Sequence, residues 1–141
     1  MAVTSIPAPR FMEALLEEGI DLDTQDVKVL LTTDSYTFDP ATHVFRSAVS
    51  NEVTGTGYTA GGETAGTVTV GTAAGVVKLD VADVIWSDSS ITARRAVFYV
   101  DKGSAATDPI IGVWDFGENK SSSGGEFKLT INANGLVTFQ A

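Results

Sequence analysis

Apolar and polar positions along the chain alternate with a period of two, in short runs broken by Gly, Asn, Asp and Pro. This is the pattern of strands joined by turns. Asp26 to Thr33 sets Val27, Val29 and Leu31 against Lys28, Leu30 and Thr32, which predicts a strand by period and by β-branched content. A turn at Asp39-Pro40 follows, then a short second strand over Val44 to Val49. Thr67 to Thr72 and Val76 to Val81 predict a hairpin through Ala73-Ala74-Gly75. Val84-Ile85-Trp86 predicts a brief strand closed by a turn at Ser87-Asp88-Ser89-Ser90. Phe127 to Ile131 and Leu136 to Gln140 predict a final hairpin around Asn132-Ala133-Asn134-Gly135.

Two strands depart from clean alternation. In Thr92 to Asp101, Arg94, Ala96, Phe98 and Val100 point one way while Ala93, Arg95, Val97 and Tyr99 point the other. In Ile110 to Phe116, Ile110, Trp114 and Phe116 oppose Ile111 and Val113. A strand open to water on one face alternates more cleanly, so the second apolar face of each needs a cover or a partner.

The N-terminal part follows other rules. Met1 to Pro9, with two prolines, predicts an extended arm, and the pairs Phe11/Leu15 and Met12/Leu16, four apart, predict a two-turn helix over Arg10 to Glu18 ended by Gly19. Such a short helix needs a surface to dock on. The expected organisation is an arm and helix over 1–25 and one domain over 26–141. That domain is all-β, an antiparallel β-sandwich of jelly-roll type, given its many short strands and regular turn signals.

Composition narrows the function classes. Nine Lys and Arg against eighteen Asp and Glu give a net charge of −9, and Arg94-Arg95 is the one basic doublet, so phosphate-backbone binding is disfavoured and no nucleic-acid partner is expected. The absence of cysteine removes disulfides, thiolate chemistry and Cys-based metal sites. No apolar run approaches the ~20 residues of a membrane span, and no secretory signal opens the sequence, so synthesis in the cytoplasm and no membrane partner are expected.

The most distinctive stretch is Asn51 to Gly62, with four glycines and no apolar run. It contains Gly55-x-Gly57-x-x-Ala60, the spacing of a dinucleotide fingerprint. That motif works only where a helix leaves it, and Gly61 to Gly66 is a poor helix former, so no cofactor is expected and the stretch is read as a shaped connection. His43, the single histidine, has no evident nucleophile or orienting carboxylate beside it. Asp21, Asp23 and Asp26 lack the glycine and distal Glu of an EF-hand, and Asp80, Asp83 and Asp88 are equally non-specific, so no metal is expected. Trp86, Trp114 and Tyr58 could form an aromatic platform for sugar rings, but strand patterns place the tryptophans in the core. Arg94 and Arg95, facing opposite ways on one strand, are candidates for an intersubunit contact with carboxylates.

Asn51 to Gly62, Ala82 to Trp86 with Ile91-Thr92-Ala93-Arg94, and Ile110-Ile111-Gly112-Val113-Trp114-Asp115-Phe116-Gly117 together resemble, in kind and spacing, small virion proteins of tailed bacteriophages. The resemblance runs from about Asp26 to Phe139. It implies a jelly-roll capsid cement or decoration protein without catalytic motif, located on the capsid surface of the virion. The implied partners are the major capsid protein and further copies of itself as a homo-oligomer. Phe11, Leu15, Gly55, Gly57, Tyr58, Arg94 and Arg95 are the candidate interaction residues. The alternative is a tail- or fibre-associated module that binds host glycans.

Overall fold

The computed structural model of the chain describes residues 4–7, 11, 24–66, 68–73, 76–131 and 137–140. The protein is all-β. Its strands are β1 (Thr4–Pro7), β2 (Val27–Thr32), β3 (Glu63–Thr64), β4 (Val68–Ala73), β5 (Val76–Val81), β6 (Val84–Ser89), β7 (Thr92–Val100), β8 (Ile110–Ser121), β9 (Gly125–Leu129) and β10 (Val137–Gln140), with a 3-10 turn at Arg46–Ala48. They form sheets of order β1-β8-β7-β2-β3, β10-β5-β4 and β6-β9, in which every pairing is antiparallel.

Two of these sheets are parts of one bent ladder. Thr92 pairs with Ser121 at the end of β7 and β8, and three residues earlier Ser89 pairs with Gly125 in β6 and β9. The β6–β7 path therefore runs beside β8–β9 through a corner, the device by which strands pass from one sheet to another. Asp88 at φ 49° and Gly124 at φ 64° mark the bend. Ser89, fully buried, pins it: its hydroxyl lies 2.7 Å from Ser122 Oγ and donates toward Trp86 O at 3.1 Å and Gly125 O at 3.2 Å. The turn expected at Ser87 to Ser90 is thus a kinked strand. Polar residues there bond across the corner instead of reversing the chain.

The register of β7 on β8 also slips. Ala93 faces Lys120 but Arg95 faces Asp115, so 116–119 bulge opposite Arg94 alone, and β8 extends five residues past the expected end at Phe116, to Ser121. Val44 to Val49, expected as a strand, makes only the Phe45–Pro109 bridge, through Arg46 N–H to Asp108 O at 2.8 Å and Ile110 N–H to Val44 O at 2.9 Å, before Ala48 N–H turns back to Phe45 O at 3.0 Å in the 3-10 turn. The expected C-terminal hairpin is also replaced. β9 continues the ladder against β6, whereas β10 joins β5, and Asn132 to Gly135 lie outside the described residues.

Both faces of β7 and β8 are covered within the chain. Ala96 to Val100, Ile110, Ile111 and Val113 are all within 1% of full burial, and Phe98 meets Trp114 edge-on at 5.4 Å between ring centroids. The second apolar face of each strand is therefore covered within the chain. The described N-terminal residues join this structure too. β1 is no free arm but an edge strand on β8, a position Pro7 tolerates, and Phe11 is helical and 2% exposed. The rest of the expected helix, Leu15 included, lies outside the described residues.

Candidate functional site

The glycine-rich stretch lies along the rims of two sheets. Asn51 O accepts from Thr33 N–H at 3.0 Å, Val53 N–H donates to Leu31 O at 2.9 Å, and Thr56 bridges Ser90 at the corner. Its glycines permit this approach. A Cβ on Gly57, at φ 79°, would stand 2.8 Å from Ser89 Cα, and one on Gly62, at φ 80°, would stand 1.7 Å from Val29 O. At both positions the loop backbone packs directly against the backbone of a neighbouring strand.

Tyr58 is the latch of this loop. Its hydroxyl donates to Glu52 Oε2 at 2.6 Å and accepts from Leu31 N–H at 2.9 Å, while Gly61 N–H donates to the same carboxylate oxygen at 2.7 Å. Tyr99 OH donates to Gly61 O at 2.5 Å from the sheet below. The Tyr58 ring stacks on Trp86 at 6.2 Å and 21°. Burial first, and then the bond to Glu52, push the Tyr58 phenol up; burial pushes Tyr99 up to about 12. Both therefore stay protonated donors over the whole neutral range.

Arg94 and Arg95, expected on opposite faces, converge on one carboxylate. Arg94 Nε donates to Asp115 Oδ1 at 2.7 Å, and Arg95 Nη2 lies 3.4 Å from Asp115 Oδ2. The register slip beside Arg94 permits this, since an alternating strand would separate the two. Gly117 N–H donates to Asp115 Oδ1 at 2.8 Å, and Arg95 Nη1 donates to Tyr36 O. Burial would raise the Asp115 carboxyl, but the Arg94 bond, the Gly117 N–H and the charge of Arg95 together hold it below the usual carboxylate range. The doublet ties the bulge and the Tyr36 loop to the sheet.

Sequence reasoning missed a third tie. Arg46 Nε donates to Asp108 Oδ2 at 2.8 Å, Asp108 Oδ1 accepts from Lys102 N–H at 2.7 Å, and the Arg46 guanidinium lies 5.0 Å over the Tyr99 ring. Asp108 is fully buried while the Arg46 side chain is partly exposed, so the tie reaches from the surface into the interior. Its partners stand 62 positions apart, and no local pattern announces them. His43 stacks on Tyr36 at 5.6 Å, with Tyr36 OH 2.9 Å from its Nδ1, inside the loop that Arg95 holds.

The remaining candidates separate. Trp86 is 1% exposed between Tyr58 and Phe127, and Trp114 is 6% exposed, so the expected core placement of both tryptophans holds. Asp21 and Asp23 lie outside the described residues; Asp83 accepts from Ile131 N–H at 2.8 Å and faces Lys128. Among the described residues no three His, Asp or Glu side chains converge as a metal site would require. An open groove of about 370 Å³ runs along the corner over Trp114, Phe116, Phe127 and Leu129, flanked by Lys120 and Lys128. Comparison with protein-family models, curated proteins and solved structures finds no match for the chain.

Proposed function

We propose that this protein is a non-enzymatic structural component of a tailed-phage virion, bound to the outer surface of the head and cementing adjacent major capsid subunits. One observation carries the reading beyond the resemblance. Among the described residues Glu52 with Tyr58, Arg94 and Arg95 with Asp115, and Arg46 with Asp108 are engaged in ties that hold loops to the sheets. Such an arrangement supports a rigid scaffold that contributes surface, in which stabilisation of a lattice comes from many shallow contacts at roughly 25 cal/mol per Å² removed from water. The finer architecture we propose is a jelly-roll-like sandwich, with the β6–β7 and β8–β9 paths forming its corner.

The alternative is a tail- or fibre-associated module that binds host glycans, for which Trp86, at 1% exposure, offers no exposed ring. The test is genetic. Heads assembled without the protein should lose integrity at lower temperature than complete heads, with adsorption to the host unchanged. Unchanged head stability with lost adsorption would overturn the cement reading.

A further inference from the structure

A second open cleft, of about 380 Å³, lies between the glycine-rich loop and the corner, lined by Thr33, Glu52, Thr54, Ser90, Thr92 and Ser122. Its size falls within the roughly 300–1,000 Å³ of small-ligand pockets. Backbone bonds fix its walls: Val53 N–H donates to Leu31 O at 2.9 Å, Ser90 N–H to Thr56 O at 3.0 Å and Ser122 N–H to Ile91 O at 2.9 Å. The cleft is therefore formed before any ligand arrives, and binding there costs little ordering.

The polar groups of the lining are held as well. Ser90 Oγ accepts from Gly124 N–H at 2.9 Å and Thr33 Oγ1 accepts from Ser35 N–H at 3.3 Å. A hydroxyl that accepts from the backbone keeps its own O–H to donate and a further lone pair to accept. Thr54 is exposed. Glu52 is the charged acceptor of the lining. Its Oε2 takes both Tyr58 OH and Gly61 N–H, which fixes the carboxylate and, among the described residues, leaves Oε1 without a hydrogen bond.

These groups select the ligand. No Lys or Arg lines the cleft and Glu52 is charged, so an anion is repelled. One carboxylate is too few for a hard cation, which takes about six oxygen ligands or more. A purely apolar ligand would strip water from the hydroxyls and return no bonds. We propose that the cleft binds the terminal unit of a neutral saccharide, with Glu52 Oε1 accepting from sugar hydroxyls, Thr33, Thr54 and Ser90 donating to them, and Val53 and Ile91 against the C–H face of the ring. A sugar hydroxyl both donates and accepts, as this lining does, and a bond to a carboxylate is among the strong ones. The inference goes beyond the cement reading and does not depend on it. Its test contains no heads, so the two fail separately.

The test is a titration of the isotope-labelled protein, followed by amide NMR shifts, with the methyl α-glycosides of glucose, mannose and galactose, which present a sugar as the end of a glycan does. At least one should move the amides of Thr54, Ser90, Ile91 and Thr92 saturably, with a Kd of about 1–10 mM. Thr54→Arg stands at an exposed position, and its side chain would fill the cleft and claim the Glu52 carboxylate. It should weaken binding on the order of tenfold or more while the remaining amide shifts stay those of the folded protein. Lys128→Ala, in the groove over Trp114, should bind as the wild type does. Three glycosides without saturable shifts, shifts centred on the Trp114 groove, or an affinity unchanged by Thr54→Arg would overturn the proposal.

Discussion

At Gly62 a missing methyl group sets the path of the loop. Gly62→Ala would drive a Cβ to within 1.7 Å of Val29 O, and the backbone there cannot yield without losing the β2–β3 pairing. The expected loss is at least ~3 kcal/mol in denaturant unfolding. Gly71→Ala, which meets nothing within 4 Å, should change stability by less than ~0.5 kcal/mol. Equal effects at the two sites would contradict the account. Asp115 adds a pH dependence. Its folded carboxyl titrates below the ordinary value, so its stabilisation is complete above about pH 4 and is lost as pH falls through the lower folded value. Asp115→Asn should cost about 2 kcal/mol at pH 7 and flatten the acid limb of the stability curve. An unaltered acid limb would show that the Arg94–Asp115–Arg95 tie contributes nothing.

At the scale of elements, the three tyrosines are loop clamps, and all three phenols are pushed up by burial, Tyr36 and Tyr99 to about 12. In the unfolded chain they ionise near pH ~10. The stabilisation is therefore whole below that pH and lost as pH rises toward 12. Tyrosinate absorbance should appear together with loss of the β dichroism; its appearance near pH 10 in a folded protein would contradict the clamps. The N-terminal part should also matter for folding. Phe11→Ala should cost about 3 kcal/mol, because Phe11 is 2% exposed, and removal of residues 1–25 should cost more, since β1 is then missing from β8. An undiminished denaturant midpoint would return this segment to the role of a free arm.

The same scale shows what could be read from the chain. β2, β4, β5, β7 and the first half of β8 were legible because alternation and β-branched content mark a strand wherever its partner lies. Ser87 to Ser90 reads as a turn from its composition, and Asn134-Gly135 as a hairpin, because those signals are local while the pairings of β6 with β9 and of β10 with β5 are not. The convergence of Arg94 and Arg95 required a register slip that alternation cannot express. The doublet was visible; its shared carboxylate was not.

For the whole molecule, a chain with net charge −9 buries both faces of its central strands β7 and β8 within itself. This is how a rigid, repeated building block would be made, dispersed by its charge and joined through limited contacts. The most direct test of the proposed cement role is co-sedimentation of the purified protein with empty tailed-phage heads that lack it. The account expects saturable pelleting at a fixed ratio to the major capsid protein, in many copies per head. Protein that remains in the supernatant while heads pellet would contradict it.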